Sequence, residues 1–325
     1  MKDHHPTRAR PARVRYPSEP LPEIDLTAWH KSLDRLSGAY SEHTLKGYEV
    51  DFRLFLRWCV ARRLPPLPAT PITVAAYLGD RMDALKPSTL KRRLSGIRKI
   101  HRLYELPDPT DHFEVDLALR RARRRKPQRP SQALGVTAAV RDRLLAVCGD
   151  DVVGLRDRVL ITVGFDTLCR RGELVALAAE DLEPNAFGNL SILVKRAKND
   201  PYGAGRIAHL TAATVRLVEQ WLEVAAIDRG PLLRPVYREH AVPRYLNAAV
   251  VGRILKKLAE RAGLDAKDVA RVSGHSLRVG AAQQLTLNGV QILPIMRAGG
   301  WRSFNVVARY VENVEMDVWG KVAGR

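Results

Sequence analysis

A dense run of cations divides this chain into two parts. Residues 120–129 read RRARRRKPQR, with seven cations in ten residues. The like charges in this run repel one another, so we expect it not to pack against the protein. We expect it to form a linker that contacts a polyanion. Pro127 and Pro130 bracket its end, and the SQALGVT that follows is typical of a restart of folded chain. We therefore predict a basic linker at residues 125–131, a first domain at 21–124 and a second at 132–325.

The first domain has the pattern of a small helical bundle. Ser41 is a suitable N-cap for a helix in which apolar residues recur with the helical period. These residues are Leu45, Tyr48, Phe52, Leu56, Cys59 and Val60. Further helices are predicted near 74–83, 87–104 and 111–124, and no strand pattern occurs in this half. Residues 1–20, rich in proline and arginine, are predicted to be a disordered basic arm.

The helix predicted at 87–104 carries positive charge only. One face is apolar, at Leu90, Leu94, Ile97, His101 and Tyr104. The other faces carry the cations Lys91, Arg92, Arg93, Arg98, Lys99 and Arg102. Because nothing in the helix neutralises them, we predict that they contact phosphate, as do Arg121 and Arg124 of the basic run. With 54 Lys and Arg against 35 Asp and Glu, the chain has a net charge of +19, which points to nucleic acid as its partner.

Composition excludes several other classes of protein. A chain with 46% hydrophobic and 27% charged residues is not intrinsically disordered as a whole. The three cysteines, at 59, 148 and 169, have neither a pairable nor a metal-ligand spacing, which excludes a disulfide scaffold and a structural zinc site. The longest stretch without charged residues, 279–296, is too polar for a membrane span. No secretory signal is recognisable, so we expect a soluble, cytoplasmic protein.

The second half is predicted to be mainly helical with one β-hairpin. The strands are Leu190–Val194 and 206–210, joined by a polar turn that contains NDPYGAG. Helices are predicted at 140–147, 156–168, 215–226 and 248–262, and one from Ser276 to Asn288-Gly289.

Two charged pairs in this half have the spacing of one helical face. His275 and Arg278 are three residues apart, and so are Arg170 and Glu173. Each pair alone has an ordinary structural explanation, as a hydrogen-bonding histidine or a surface ion pair. No glycine-rich phosphate loop and no cluster of acidic metal ligands occurs in the sequence. We therefore expect no metal and no cofactor, and an enzyme acting on DNA here has to stabilise phosphate with cationic side chains.

Together these residues match a known family. Residues 273–313, SGHSLRVGAAQQLTLNGVQILPIMRAGGWRSFNVVARYVEN, resemble the active-site region of the tyrosine recombinases, the phage integrase family. The resemblance continues upstream through DTLCRRGE, residues 166–173, and weakly into the first domain, at 41–44 and 58–59. The motif His-x-x-Arg, followed by Gly-Gly-Trp and then Tyr, is highly specific. Trp301 is typical of the Cre-like members, since many relatives have histidine there.

The resemblance implies both a fold and a reaction. The expected fold is mainly α, with an N-terminal helical core-binding (SAM-like) bundle and a mainly helical catalytic domain that contains a small antiparallel β-sheet. Such proteins close around double-stranded DNA. Their tyrosine attacks the scissile phosphate, forms a 3′-phosphotyrosyl link and frees a 5′-hydroxyl. A 5′-hydroxyl of the partner strand then attacks that link, so neither ATP nor metal is required.

The same resemblance gives each matched residue a role. Tyr310 is the nucleophile, and His275 handles its proton or contacts the phosphate. Arg170 and Arg278 are expected to bind non-bridging phosphate oxygens, because the guanidinium fork fits phosphate and stays charged.

Three further site residues follow from the resemblance. Trp301 is expected to donate its indole N–H to a phosphate oxygen, and Glu173 to orient its neighbours. Family members protonate the leaving 5′-oxygen with a lysine in the β-turn, where Lys195 and Lys198 are both candidates. Lys198 fits better because Lys-Asn-Asp begins the turn. Pro294 departs from the Cre-like pattern by one residue, and we expect only a local shift there, because proline is tolerated in a first helical turn.

The resemblance also implies an assembly. We expect a monomer in isolation and a homotetramer on DNA with inverted-repeat half-sites. The residues after Tyr310 include the apolar Val314, Met316, Val318 and Trp319. Cre-like members dock a C-terminal helix into a neighbouring protomer, so Trp319 is predicted to be an intermolecular anchor, with packing on its own domain as the alternative.

Two alternative functions stay open on the sequence alone. A type IB topoisomerase shares this chemistry but relaxes DNA as a single subunit, whereas a recombinase pairs two sites. A basic DNA-binding protein with an inactive site would bind DNA and form no covalent adduct.

Overall fold

The computed structural model describes residues 28–126, 132–186, 188–195, 205–312 and 314. The chain forms two compact units, Met1–Pro130 and Ser131–Arg325. The predicted basic arm, 1–20, and most of the predicted linker lie outside the described residues. Among the residues that are described, no helix has the length and the apolar character needed to cross a membrane.

The first unit is helical, as predicted. A 3-10 helix, Trp29–Leu36, precedes four α-helices: α1 (Glu42–Ala61), α2 (Pro71–Arg81), α3 (Pro87–Leu103) and α4 (Phe113–Arg125). Within residues 28–126, extended pairing is limited to an isolated bridge between Ser37 and Tyr40. Buried aromatic residues of α1 and α2 form the centre of the bundle.

Ser41 caps α1, as the sequence predicts. Its Oγ accepts a hydrogen bond from the N–H of Thr44 at 3.3 Å. The predicted inward face is correct at Phe52 and Cys59, which are fully buried, and wrong at Val60, which is 63% exposed. Val60 follows Cys59 by one residue, and one residue rotates a side chain by about 100° around a helix, away from the core.

Helix α3 buries its predicted apolar face, and several of its cations pair with acids on neighbouring segments. The helix itself contains no acid, as its sequence states, but acids outside the helix pair with three of its cations. Arg92 forms an ion pair with the buried Asp51 at 2.7 Å, and Arg98 forms one with Asp108 at 2.9 Å. Arg102 lies 3.5 Å from the same Asp108 carboxylate. These acids lie on α1 and in the loop after α3, so the sequence of α3 alone does not reveal them.

The basic run is helical over its first half. Helix α4 extends through Arg125 and includes Arg121 and Arg124, whereas the linker was predicted to begin at 125. Arg125 forms an ion pair with Asp83 at 2.8 Å, so this part of the run does pack against protein. Cations are favourable in the last turn of a helix because the carbonyl end of the helix dipole is negative.

The second unit is built mainly from helices. They are α5 (Ala138–Ala146), α6 (Val152–Asp166), α7 (Arg171–Val175), α8 (Ala212–Val224), α9 (Ala248–Arg261), α10 (Ala266–Arg271), α11 (Ser276–Leu287), α12 (Ile292–Gly299) and α13 (Phe304–Val311). The core lies among α6, α8, α9 and the start of α11. Trp221 of α8 is fully buried there, and its Nε1 donates to the carbonyl oxygen of Leu232 at 2.7 Å.

The predicted β-hairpin is present within a three-stranded antiparallel sheet. Strands β1 (Leu182–Pro184), β2 (Leu190–Val194) and β3 (Arg206–His209) lie in that order, with Val194 opposite Arg206. Strand β1 and the small hairpin of β4 (Val236–Tyr237) and β5 (His240–Ala241) were not predicted. Strands of two or three residues are too short to display an alternating pattern.

Two helices bring site residues into the core of this unit. The first turns of α11, through Ala282, are buried, so this helix carries Arg278 into the interior. Helix α12 forms with Pro294 at its third position. The first N–H groups of a helix have no intrahelical acceptor, so proline costs no hydrogen bond there.

Candidate active site

The hydroxyl of Tyr310 lies against an imidazole. Tyr310 is near the end of α13, and its Oη is 2.6 Å from Nε2 of His275, the N-cap residue of α11. The backbone carbonyl of Tyr310 accepts hydrogen bonds from Nε2 of Gln132 at 3.0 Å and from Nε2 of Gln283 at 3.1 Å. The end of α13 is therefore held from two sides, with the phenol and the imidazole in hydrogen-bond contact.

His275 is neutral near pH 7. Burial, followed by the positive charges of Arg278 and Arg170, lowers the pKa of His275 to about 4. A neutral imidazole nitrogen can accept a proton from a phenol 2.6 Å away, which is the geometry of a general base. An anion bound among these groups would favour the protonated imidazole and so raise the pKa of His275.

A buried carboxylate fixes the orientation of Arg170. Glu173, in the first turn of α7, accepts the backbone N–H of Arg170 at 3.0 Å and its Nη1 at 2.5 Å. The side chain of Glu173 is 5% exposed and that of Arg170 is 22% exposed. The ion pair restricts the guanidinium to one orientation, and its remaining N–H groups stay accessible to a ligand.

Arg278 and Trp301 have buried donors that find no acceptor among the described residues. The guanidinium carbon of Arg278 is 4.0 Å from the centroid of the Trp301 ring, and Nη1 donates to the carbonyl oxygen of Leu168. Burial lowers the pKa of Arg278 to about 10, so it remains charged at pH 7. Nε and Nη2 of Arg278 and Nε1 of Trp301 have no hydrogen-bond partner within the described part of the chain. Buried donors left unpaired cost free energy, and phosphate oxygens would satisfy them.

One glycine makes room for the indole ring, and the next one forms the turn before it. A Cβ atom at Gly299 would lie 2.0 Å from the ring of Trp301. Gly300 has φ of 65°, in the left-handed region that favours glycine. The ring centroids of Trp301 and Tyr310 are 5.6 Å apart. The Gly-Gly-Trp sequence thus packs the indole against both Arg278 and the tyrosine.

The structure describes one of the two candidate lysines. Lys195, just after β2, forms an ion pair with Asp181, whose side chain is 5% exposed. The hydrogen bond that Lys195 donates to that carboxylate raises the pKa of Lys195. Lys198, the better candidate by sequence, lies outside the described residues.

Sequence reasoning missed Arg206 of β3. Its guanidinium lies 3.8 Å from Glu173 and donates to the backbone next to the site, at Thr167 and Ala298. Strand alternation could have revealed it, because Arg206 shares a face with the buried Ala208. The glutamines that hold Tyr310 gave no sequence signal.

A cationic groove of about 570 Å³ adjoins the site. Its cations are Arg171, Arg253, Lys256 and Arg271, its small residues are Ala133, Ala249, Gly252, Ala270 and Gly274, and no Asp or Glu lines it. Arg171 follows Arg170 and Gly274 precedes His275, so the groove and the active site share two loops.

The other predicted site residues have different surroundings. The cations of α3 and α4 lie in the first unit. Two of them donate hydrogen bonds to tyrosine hydroxyls there: Arg93 to Tyr77 at 2.7 Å and Lys99 to Tyr40 at 2.9 Å. Among the described residues, no three His, Cys, Asp or Glu side chains are grouped as a metal site would require.

Both units match models of one protein family. Residues 136–316 match the phage integrase family, and residues 29–104 match the phage integrase N-terminal SAM-like domain. The integrase/recombinase xerD homolog of Selenomonas ruminantium is 33% identical over 296 residues, which cover 87% of this chain and 85% of that protein. Recombinase cre of Escherichia phage P1 is 29% identical over 301 residues, covering 87% and 88%.

Solved structures share the fold at lower identity. The Tn1549 transposon integrase in complex with transposon right end DNA has a TM-score of 0.64 and 15% identity, and the match covers 93% of this chain and 98% of that one. A lambda integrase dimer bound to a COC′ core site has a TM-score of 0.61 and 16% identity, with 90% and 79% covered.

Proposed function

The chain belongs to the phage integrase family, the tyrosine recombinases, and we propose that it is a site-specific DNA recombinase that works through a 3′-phosphotyrosyl intermediate. The observation that carries this mechanism is the 2.6 Å contact between Tyr310 Oη and the neutral His275, next to two arginines. The matches are to integrases and recombinases, which favours this function over a topoisomerase or an inactive DNA-binding protein.

Cleavage begins with Tyr310. Its Oη attacks the scissile phosphorus while its proton passes to Nε2 of His275, and the bond from phosphorus to the 5′-oxygen breaks. Arg170, Arg278 and the indole N–H of Trp301 bind the non-bridging oxygens, on which negative charge builds up. The unpaired donors of Arg278 and Trp301 support this role, because they are buried and oriented before DNA binds. One such preorganised donor is typically worth about 10²–10³ in rate.

Rejoining is the same step in reverse with a different strand. The 5′-hydroxyl of the partner strand attacks the phosphotyrosyl phosphorus and gives its proton to the group that protonated the first leaving oxygen. The phenolate of Tyr310 leaves and regains its proton from His275. One phosphodiester is exchanged for another, so the reaction needs no net energy input.

The leaving 5′-oxygen needs a proton, which we assign to Lys198. The alternative, Lys195, is already engaged by the buried carboxylate of Asp181, and moving it to the DNA would leave that carboxylate unpaired. This favours the lysine three positions further into the turn.

A nicked suicide substrate tests the proposed function. The bound sequences are first selected from random DNA and examined for inverted-repeat symmetry. A nick beside the scissile phosphate then lets the cleaved fragment diffuse away, so a recombinase accumulates as a covalent protein–DNA adduct. If no adduct forms, the protein binds DNA without cleaving it. If it relaxes supercoiled DNA that has no second site to pair with, it is a topoisomerase.

We further propose that the cationic groove binds the DNA backbone beside the scissile phosphate. Its described lining has four cations and no acid, and its small residues let a phosphate approach the protein backbone. One of the cations, Arg271, also pairs with Asp268 outside the lining at 3.4 Å. Because the groove shares loops with Arg170 and His275, a phosphate held there lies next to the reacting one.

The salt dependence of binding tests the groove. Replacing Arg253 and Lys256 with glutamine should weaken DNA binding and flatten the plot of log K against log salt by roughly 0.9 per lost phosphate contact. The loss should be similar for target and unrelated DNA, because backbone contacts carry no sequence information. The matched control is Arg216→Gln with Arg238→Gln, two exposed arginines away from the groove. Equal slopes for the two double variants would contradict the assignment.

We propose that monomers of this protein assemble into a homotetramer on DNA with inverted-repeat half-sites. We place this assembly in the cytoplasm of a bacterial cell. The predicted anchor Trp319 and most of the tail lie outside the described residues. A cavity of about 650 Å³ in the second unit supports docking of an apolar tail, because Phe165, Leu168, Ile207 and Leu285 line it. We propose that the tail of one protomer occupies this cavity in the next.

Removal of the tail separates docking between protomers from packing within one. A chain that ends at Asn313 should stay folded and bind one half-site normally, but lose cooperative binding to paired half-sites and fail to synapse. Thermal unfolding and titration of half-site and full-site DNA measure these properties. Unfolding of the truncated monomer would favour packing within the chain, and retained cooperativity would refute docking.

A further inference from the structure

Arg206 is a largely buried arginine at the turn end of the β2–β3 hairpin, beside the active site. It is the first residue of β3 and lies opposite Val194, the last residue of β2. Its side chain is only 12% exposed. A cation buried to this degree is normally satisfied by acceptors, and the identity of those acceptors indicates its role.

One guanidinium binds two backbone turns. Nη1 of Arg206 donates to the carbonyl oxygen of Ala298 at 2.7 Å, and Nη2 donates to that of Thr167 at 2.8 Å. Nη2 also contacts Sγ of Cys169 at 3.4 Å. The turn that contains Thr167 leads into Arg170, and the last turn of helix α12, which contains Ala298, leads into Trp301.

Each turn contains or precedes a residue with a left-handed backbone conformation. Leu168 has φ of 50°, which is strained for a residue with a side chain, and Gly300 has φ of 65°. The Leu168 turn is held from two sides, because its own carbonyl accepts a hydrogen bond from Arg278 and the preceding carbonyl accepts one from Arg206. At the other turn, a Cβ on Gly300 would lie 3.2 Å from Cδ of Arg206, so the arginine packs directly against that backbone.

We propose that Arg206 is a positioning residue that fixes Arg170 and Trp301 at the scissile phosphate. It touches neither DNA nor the reacting atoms. It ties together the two turns that place the phosphate-binding side chains, and it adds positive charge 3.8 Å from Glu173, the carboxylate that orients Arg170. The inference rests on the proposed recombinase function and adds a residue to its mechanism.

The geometry requires arginine at this position. Two carbonyl oxygens on separate turns are bridged by two nitrogens of one rigid, planar group. The ammonium of lysine is a single point donor on a flexible stem and does not reproduce that bridge. Arg206→Lys therefore keeps the charge and loses the positioning.

The test compares Arg206→Ala and Arg206→Lys with Arg234→Ala. Arg234 is a matched control, because it is 7% exposed and donates to two backbone carbonyls, of Pro231 and Arg229, away from the site. Single-turnover cleavage of the suicide substrate is measured at saturating protein, below the unfolding temperature of every variant, with half-site affinity measured in parallel. Both Arg206 variants should cleave about 10²-fold more slowly at nearly unchanged affinity, the cost typical of a small misplacement of catalytic groups.

A double-mutant cycle with Trp301→Phe shows whether Arg206 acts through the phosphate-binding turns. Arg206→Ala should cost clearly less in the Trp301→Phe background than in the wild-type chain, because part of what Arg206 positions is already gone. Any of three results would overturn the proposal. Arg206→Lys could cleave at the wild-type rate, the rate losses of Arg206→Ala and Trp301→Phe could be additive, or Arg234→Ala could lose as much rate as Arg206→Ala. If the wild-type chain itself forms no adduct, the proposed function fails instead.

Discussion

A Tyr310→Phe variant is expected to bind DNA normally and to form no covalent adduct. Phenylalanine keeps the ring that packs at 5.6 Å from Trp301 but lacks the oxygen that attacks phosphorus. The hydrogen bond to His275 is lost as well, at a cost of about 1 kcal/mol in stability. Adduct yield on a nicked suicide substrate should therefore fall to background, while half-site affinity stays at the wild-type value.

The control for this variant is Tyr237→Phe, which removes an exposed hydroxyl outside the site. It should form adduct at the wild-type yield. A Tyr310→Phe chain that still gives a protease-resistant DNA adduct at normal yield would show that another residue is the nucleophile.

The second large effect concerns the leaving group. Lys198→Ala should slow cleavage by about 10²–10⁴, the usual contribution of a general acid. A substrate with sulfur in place of the bridging 5′-oxygen should restore the rate, because a thiolate leaves without being protonated. Single-turnover cleavage of the oxygen and sulfur substrates measures both effects.

Lys195→Ala is the matched comparison for the general acid. It removes a lysine of the same turn and leaves Asp181 unpaired, so it should lower stability. Any loss of cleavage rate in Lys195→Ala should be the same with the oxygen and the sulfur substrate. Sulfur rescue of Lys195→Ala and not of Lys198→Ala would transfer the role to Lys195.

Much of the fold follows from sequence periodicity alone. The Ser41 cap, the buried face of α3 and the β2–β3 hairpin were all predicted from short patterns, and the structure contains each of them. Val60 was misplaced because helical burial depends on angle, and a simple count of apolar residues overlooks one that points away from the core. The ion pairs of α3 were missed because their acids are distant in sequence, as with Asp51 and Arg92.

The candidate site could be predicted as a set of residues but not as an arrangement. Family resemblance named His275 and Tyr310, yet their hydrogen bond joins residues 35 positions apart. The neutral state of His275 follows from burial and from two neighbouring guanidinium groups, which are known only once the chain is folded. Arg206 has no motif, and its importance lies in the backbone carbonyls that it contacts. Backbone acceptors leave no trace in a sequence, because every residue has one.

The close approach of Gly299 to the indole ring makes the residues allowed at positions 299 and 301 depend on each other. With 2.0 Å between an added Cβ and the ring, no residue larger than glycine fits at 299 while tryptophan occupies 301. A smaller aromatic residue at 301, such as histidine, would relieve that restriction. The order of mutation therefore matters: residue 301 can change first, but residue 299 cannot. Tryptophan at 301 therefore restricts position 299 to glycine through steric exclusion alone.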